Sequence, residues 1–213
     1  MTTAGPEPLR WVSPLTDDVD ALMRAEGWVR VRTLHQMRRP LPLPADLVDA
    51  TRRIEVRPFT DADMGEFLAV NNRAFSWHPD QGGWTAEQVH ERQREPWFSA
   101  EGFLLHDGDD GVVDGFCWTK VHPATADDPV LGEIYVIAAD PSTSGTGLGR
   151  ALTVAGLDHL SGLGIDTGML YVEADNDAAV SLYERLGFDV HHSDAAYEQA
   201  DRPADPMGQR DSS

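Results

Sequence analysis

Leu131-Gly132-Glu133-Ile134-Tyr135-Val136-Ile137-Ala138-Ala139-Asp140-Pro141-Ser142-Thr143-Ser144-Gly145-Thr146-Gly147-Leu148-Gly149-Arg150-Ala151-Leu152 passes from an apolar strand, through a loop with glycines at alternate positions, into a helix. Glycines spaced this way let the backbone approach a ligand closely, and the first N–H groups of the helix add a positive dipole end. The physical inference is an anionic ligand. A Walker-type loop needs Lys and then Ser or Thr after the last glycine, where Arg150 and Ala151 stand. A dinucleotide fingerprint needs glycine in place of Arg150.

Working outward, Ile54 to Phe59 alternates like a strand, and Thr60 with Asp63 reads as the cap of a helix running to about Phe75. A second helix starts at Thr85 and stops before Pro96. Gly102 to His106 and Val112 to Val121 are β-rich and joined by Asp107-Gly108-Asp109-Asp110-Gly111, a hairpin connection. Past the glycine loop come a helix from Leu148 to Leu163, a strand at Met169 to Glu173, a helix from Asp177 to Leu186 and a last strand from Phe188. The order β-α-α-β-β-β-α-β-α-β specifies an α/β class fold with a mixed sheet and helices packed on it.

The flanks are of different character. Residues 1–8 and 198–213 read as disordered, and residues 39–53 as a proline-rich linker. Ala21-Leu22-Met23-Arg24-Ala25-Glu26-Gly27-Trp28 has the layout of Ser181-Leu182-Tyr183-Glu184-Arg185-Leu186-Gly187-Phe188: a helix end, a glycine, then an aromatic that opens a strand. Residues 9–38 therefore read as the tail of an earlier copy of the fold in residues 54–197.

Composition narrows the function. The 213 residues are 41% hydrophobic and 25% charged, enough for one full core and a remainder. With 36 acidic and 17 basic side chains the formal charge is -19, which disfavours nucleic acid and anionic membranes as partners. The single cysteine, Cys117, rules out an intrachain disulfide and a cysteine-rich zinc site, and reads as a small packing residue. With no apolar run of signal-peptide or membrane-span length at the N-terminus, a cytoplasmic protein is expected. His191 and His192 point to opposite faces of a strand and do not suit joint metal ligation.

The glycine loop and the run Leu170 to Phe188 resemble the GNAT acetyltransferase superfamily, in which the loop holds the pyrophosphate of acetyl-coenzyme A. The match falls on Ser144, Gly147 and Gly149; Ser144 replaces the long polar side chain usual at the first position. Asn71 to Phe75, His78 to Thr85, Gly115 to His122 and Gly132 to Val136 are similar to the C-terminal domain of the mycothiol synthase family, a tandem pair of GNAT domains. The resemblance implies an N-acetyltransferase that acetylates the cysteinyl amine of desacetylmycothiol with acetyl-coenzyme A as donor and no metal, working as a monomer. A GNAT enzyme for another primary amine and a non-catalytic acetyl-coenzyme A-binding module are the alternatives.

Acetyl transfer to an amine needs a base for the amine and an acid for the departing thiolate. Glu133, a carboxylate in an otherwise apolar strand, reads as a base or as a structural ion-pair partner, and the resemblance assigns it the base. Tyr183 reads as core or as general acid, and by resemblance fills the acid position; its counterpart in the earlier copy, Met23, has no proton to give. The resemblance also implies cofactor contacts at Ile137, Ala138 and Ala139, at Ser144, Gly145, Thr146, Gly147, Leu148, Gly149 and Arg150, and at Asn176, Asp177, Ala178, Ala179, Val180 and Ser181. Asn176 reads equally as an N-cap. Acceptor contacts are implied at Asp80, Lys120, Glu133 and Tyr171.

Overall fold

The computed structural model describes residues 9–78 and 81–200. Residues 1–8 and 201–213, expected to be disordered, lie outside them, as does Asp80, whereas Glu198 and Gln199 of the expected tail belong to the last strand, whose ladder extends that far. The chain divides into two compact units: the larger is Arg38–Tyr171 with Leu182–Asp189, and the smaller holds the described residues of 9–37, 172–181 and 190–200.

In the larger unit five strands run side by side in the order β7, β6, β5, β4, β3. They are β3 (Arg57–Pro58), β4 (Phe103–Asp107), β5 (Val113–His122), β6 (Leu131–Ala139) and β7 (Thr167–Glu173). All neighbours are antiparallel except β6 and β7. The expected strand from Ile54 to Phe59 shrinks to β3, because Pro58 has no N–H for a ladder and confines it to the edge. Asp63 and Asp107 both take hydrogen bonds from the Arg57 guanidinium, which fixes that edge.

Helices α3 (Met64–Ala74) and α4 (Ala86–Gln93) pack in this unit, each behind a capping box, Thr60 with Asp63 and Thr85 with Gln88. Beneath α3 lies an aromatic core: Phe103 stacks on Trp118 at 4.2 Å and on Phe59 at 4.4 Å, and Phe67 meets Phe103 and Phe116 edge-on. The helix α5 (Leu148–Gly162) carries Leu148, Leu152, Leu157 and Leu160, all buried. It comes close to the sheet at Gly156, where a Cβ would collide with Cys117 Sγ and lie 2.7 Å from Ile134 Cδ1. Cys117 is fully buried there, and burial pushes its thiol pKa up, so it packs and does not react.

One irregularity decides the shape of β6. Trp118 is opposite Val136 and Thr119 opposite Ile134, so Tyr135 has no opposite number on β5. This is a β-bulge, which bends and twists the strand that carries it. The paired register of β6 with β7 is Gly132↔Gly168, Glu133↔Met169 and Ile134↔Leu170, and among the described residues it stops there. Beyond Ile134, β6 continues to Ala139 alongside β5.

The smaller unit orders its strands β1 (Arg10–Val12), β8 (Asp189–Gln199), β2 (Trp28–Pro40). Met23 of α1 (Asp17–Ala25) packs with Ala195 and Tyr197, and Tyr197 Oη donates to Asp20 at 2.6 Å. Thr16 caps α1 through Val19 N–H. The two similar octapeptides take the same build. Gly27, φ 85°, lies between α1 and β2, and Gly187, φ 80°, between α6 (Asp177–Arg185) and β8. The proline-rich run is shared between the end of β2 and the short helix α2 (Ala45–Asp49). Among the described residues no helix is long and apolar enough to cross a membrane.

Candidate active site

The glycine loop follows β6 directly and is anchored at its start. Asp140 accepts from Ser142 N–H at 3.0 Å and Ser142 Oγ at 2.7 Å, and Arg73 holds its other oxygen at 2.5 Å. These Ser142 bonds and the Arg73 cation hold the Asp140 carboxyl below the usual carboxylate range. Pro141–Thr143 forms one tight turn, after which Gly145 (φ 78°) and Gly147 (φ 83°) both turn left-handed. Gly147 is the N-cap of α5, so the amides of Leu148, Gly149 and Arg150 form the first turn, where no intrahelical acceptor exists. Of these, Leu148 N–H makes a weak contact with Thr146 Oγ1 at 3.4 Å, while the Ser144 and Thr146 amides close turns onto Pro141 O and Thr143 O, each at 3.2 Å.

The side chains of this loop are occupied elsewhere. Thr146 Oγ1 donates to Thr143 O at 2.7 Å, and Arg150 Nε donates to Thr51 Oγ1 at 3.0 Å. Ser144 is exposed. The loop therefore offers main-chain amides, as the glycine spacing requires. Gly147→Ala forces a Cβ into the left-handed region at a cost of about 1–2 kcal/mol. We expect a loss of stability of that size, read as a lowered denaturant midpoint.

On the face of β5 and β6 that looks toward α3 and α4, a second group of residues converges. Lys120 and Glu133 are directly opposite one another. Glu133 is 6% exposed, and its Oε2 lies 2.7 Å from His122 Nε2. The Lys120 ammonium sits over the rings of Trp97, at 4.9 Å, and Tyr135, at 5.3 Å. Arg92 Nε donates to Tyr135 Oη at 3.2 Å while its guanidinium covers Trp84 at 4.1 Å. Glu91, Arg92, Glu95, Trp97, Lys120 and Tyr135 line a cavity of about 350 Å³.

Of the residues expected from the sequence, the larger unit brings Lys120 and Glu133 together. It places Ile137, Ala138 and Ala139 alongside β5, on the run toward the loop. Tyr183, on α6, is buried with its ring 5.9 Å from Phe188. Burial, and then the Cys117 thiol, push its pKa up, so the hydroxyl keeps its proton. Tyr171 is half-exposed on β7. Asn176 belongs to the smaller unit, and its Oδ1 accepts from Ala179 N–H at 3.2 Å, which is the N-cap geometry. Asp177 to Ser181 form the opening of α6 behind it.

His122, Tyr135, Trp97 and Arg92 were not among the expected site residues. His122 was within reach, since the period of two in Lys120-Val121-His122 puts it on the face of Lys120. Tyr135 is there because of the bulge, and Trp97 follows a helix end without periodicity, so neither leaves a readable mark.

The mixed sheet and the loop that follows β6 are those of an acetyltransferase scaffold, and the acetyltransferase (GNAT) family pattern matches residues 68–188. The chain belongs to that family. It is 52% identical over 178 residues to the mycothiol acetyltransferase of Mycobacteroides abscessus, covering 82% of this chain and 58% of that protein. With the mycothiol acetyltransferase of Rhodococcus erythropolis the identity is 45% over 194 residues, 89% and 65% of the two chains. The chain thus spans about three fifths of the length of these relatives. A solved GCN5-related N-acetyltransferase from Sphaerobacter thermophilus is similar with a TM-score of 0.67 at 25% identity, covering 88% of this chain and 57% of that one.

Proposed function

We propose that the chain is the catalytic part of an enzyme that transfers the acetyl group of acetyl-coenzyme A to the cysteinyl amine of desacetylmycothiol. Residues 54–197 are the catalytic domain in this reading, and residues 9–38 the end of a preceding copy. The observation that carries it is the buried carboxylate of Glu133, directly opposite Lys120 of the cavity wall, on the strand that leads into the glycine loop. The names of its relatives support the acceptor.

The loop amides of residues 144–150 hold the diphosphate, with the α5 dipole behind them. The main chain of Ile137, Ala138 and Ala139 takes the pantetheine arm as an added strand, and one N–H polarises the thioester carbonyl. Asn176 to Ser181 complete the donor contacts. Glu133 accepts the proton that the amine loses, directly or through water, as the C–N bond forms and the C–S bond breaks. Tyr183 gives its proton to the departing sulfur. Lys120, Asp80 and Tyr171 hold the polar acceptor through charge and hydrogen bonds, and Trp97 and Tyr135 wall the cavity.

The test is release of free thiol from acetyl-coenzyme A, with formation of the N-acetyl product, when the purified protein meets the cysteinyl-glucosaminyl-inositol acceptor. Turnover with spermidine or a peptide N-terminus in its place, and none with the pseudodisaccharide, would overturn the acceptor assignment. Tyr183→Phe keeps the ring in its packed site and removes only the proton, so kcat should fall about 10- to 100-fold at an unchanged melting temperature. A rate within twofold of wild type would remove Tyr183 from the acid role.

A further inference from the structure

We propose that His122 is the positioning residue of Glu133, and this rests on Glu133 being the base. An ionised carboxylate only accepts hydrogen bonds, so the proton in the 2.7 Å contact is on His122 Nε2, which donates to Glu133 Oε2. That bond fixes the carboxylate's rotamer and satisfies one oxygen. Oε1 is left as the oxygen that receives the acceptor's proton.

Strand pairing alone leads to a different partner. Lys120 is directly opposite Glu133, the arrangement that forms cross-strand ion pairs. Instead the ammonium is drawn onto the faces of Trp97 and Tyr135, at 4.9 and 5.3 Å. Among the described residues the partner of the Glu133 carboxylate is His122. A permanent cation bonded to Glu133 would stabilise the ionised form and blunt its basicity. The imidazole N–H orients the group through a single hydrogen bond. The aromatic pair thus keeps Lys120 away from the base, and His122 takes the place that Lys120 would otherwise fill. The His122 side chain is one-third exposed while that of Glu133 is 8% exposed, so the donor reaches in from the rim of the site.

The experiment compares His122→Ala, His122→Gln and Glu133→Gln with wild type, in full chains assayed with acetyl-coenzyme A and the cysteinyl-glucosaminyl-inositol acceptor. His122→Ala should lower kcat about tenfold, the loss of one charge-assisted hydrogen bond, with the KM for acetyl-coenzyme A unchanged. His122→Gln, whose amide N–H reaches the same oxygen, should recover to within about threefold of wild type. Adding His122→Ala to Glu133→Gln should cost nothing further, because the group it orients is gone. His122→Phe, which keeps ring volume without a donor, replaces the alanine variant if that one fails to fold. An unchanged kcat in His122→Ala overturns the proposal, and so does a glutamine variant as slow as the alanine one, which would mean that the imidazole exchanges the proton itself. If Glu133→Gln is itself fully active, the base assignment falls, which is a separate result.

Discussion

Glu133→Gln should abolish most of the acetyl transfer, lowering kcat by about 10²- to 10⁴-fold while the Kd for acetyl-coenzyme A stays within twofold of wild type. The substitution is close to isosteric, and the amide oxygen of Gln still accepts from His122 Nε2–H, so packing at this buried position survives. Only the capacity to take a proton is lost. Thiol release measured at saturating acceptor gives kcat, and calorimetry gives the donor affinity. A variant that keeps more than a third of the wild-type rate would show that the amine is deprotonated elsewhere.

The second large effect is on stability. Trp118→Ala should remove about 3–5 kcal/mol, the usual cost of emptying a buried indole site, seen as a lowered denaturant midpoint. Trp118 is fully buried, stacked on Phe103, and edge-on to Phe67, Phe98 and Tyr135. Its ring joins the core under α3 to Trp97, 5.9 Å away on the cavity wall. Acceptor KM should therefore rise in any Trp118 variant that still folds, more than the donor Kd does. The indole Nε1–H is buried with no partner among the described residues, so Trp118→Phe gives up area but also sheds an unsatisfied donor. It should be the milder change.

Much of this was legible in the chain itself. β6 begins and ends where the apolar run does, α5 starts at the leucine after the second left-handed glycine, Thr60 and Asp63 form the cap that their spacing predicted, and a helix opens at Thr85 as expected. These are local effects, decided by residues within one turn of each other. The long strand β2 was not legible past its opening, because Arg30, Arg32, Arg38 and Arg39 mask its alternation. Those cations are offset by residues distant in sequence: Glu173 for Arg32, Asp128 for Arg38 and the Leu186 carbonyl for Arg39. The site divides in the same way. Glu133 and the glycine loop stand out as a charge in an apolar run and as a spacing. His122, Trp97 and Arg92 acquire their roles only from pairing across strands and from the helix above.

Tyr135 makes β6 one residue longer than the stretch of β5 it accompanies. Take that residue away and Ile134 and Val136, which already face opposite sides, would become neighbours, so Val136 and Ala138 would keep the aromatic interior and the strand would lose only its bend. What the extra residue adds is a second side chain on the interior face, so Tyr135 reaches Trp97 and the Lys120 ammonium while Val136 keeps its place in the core.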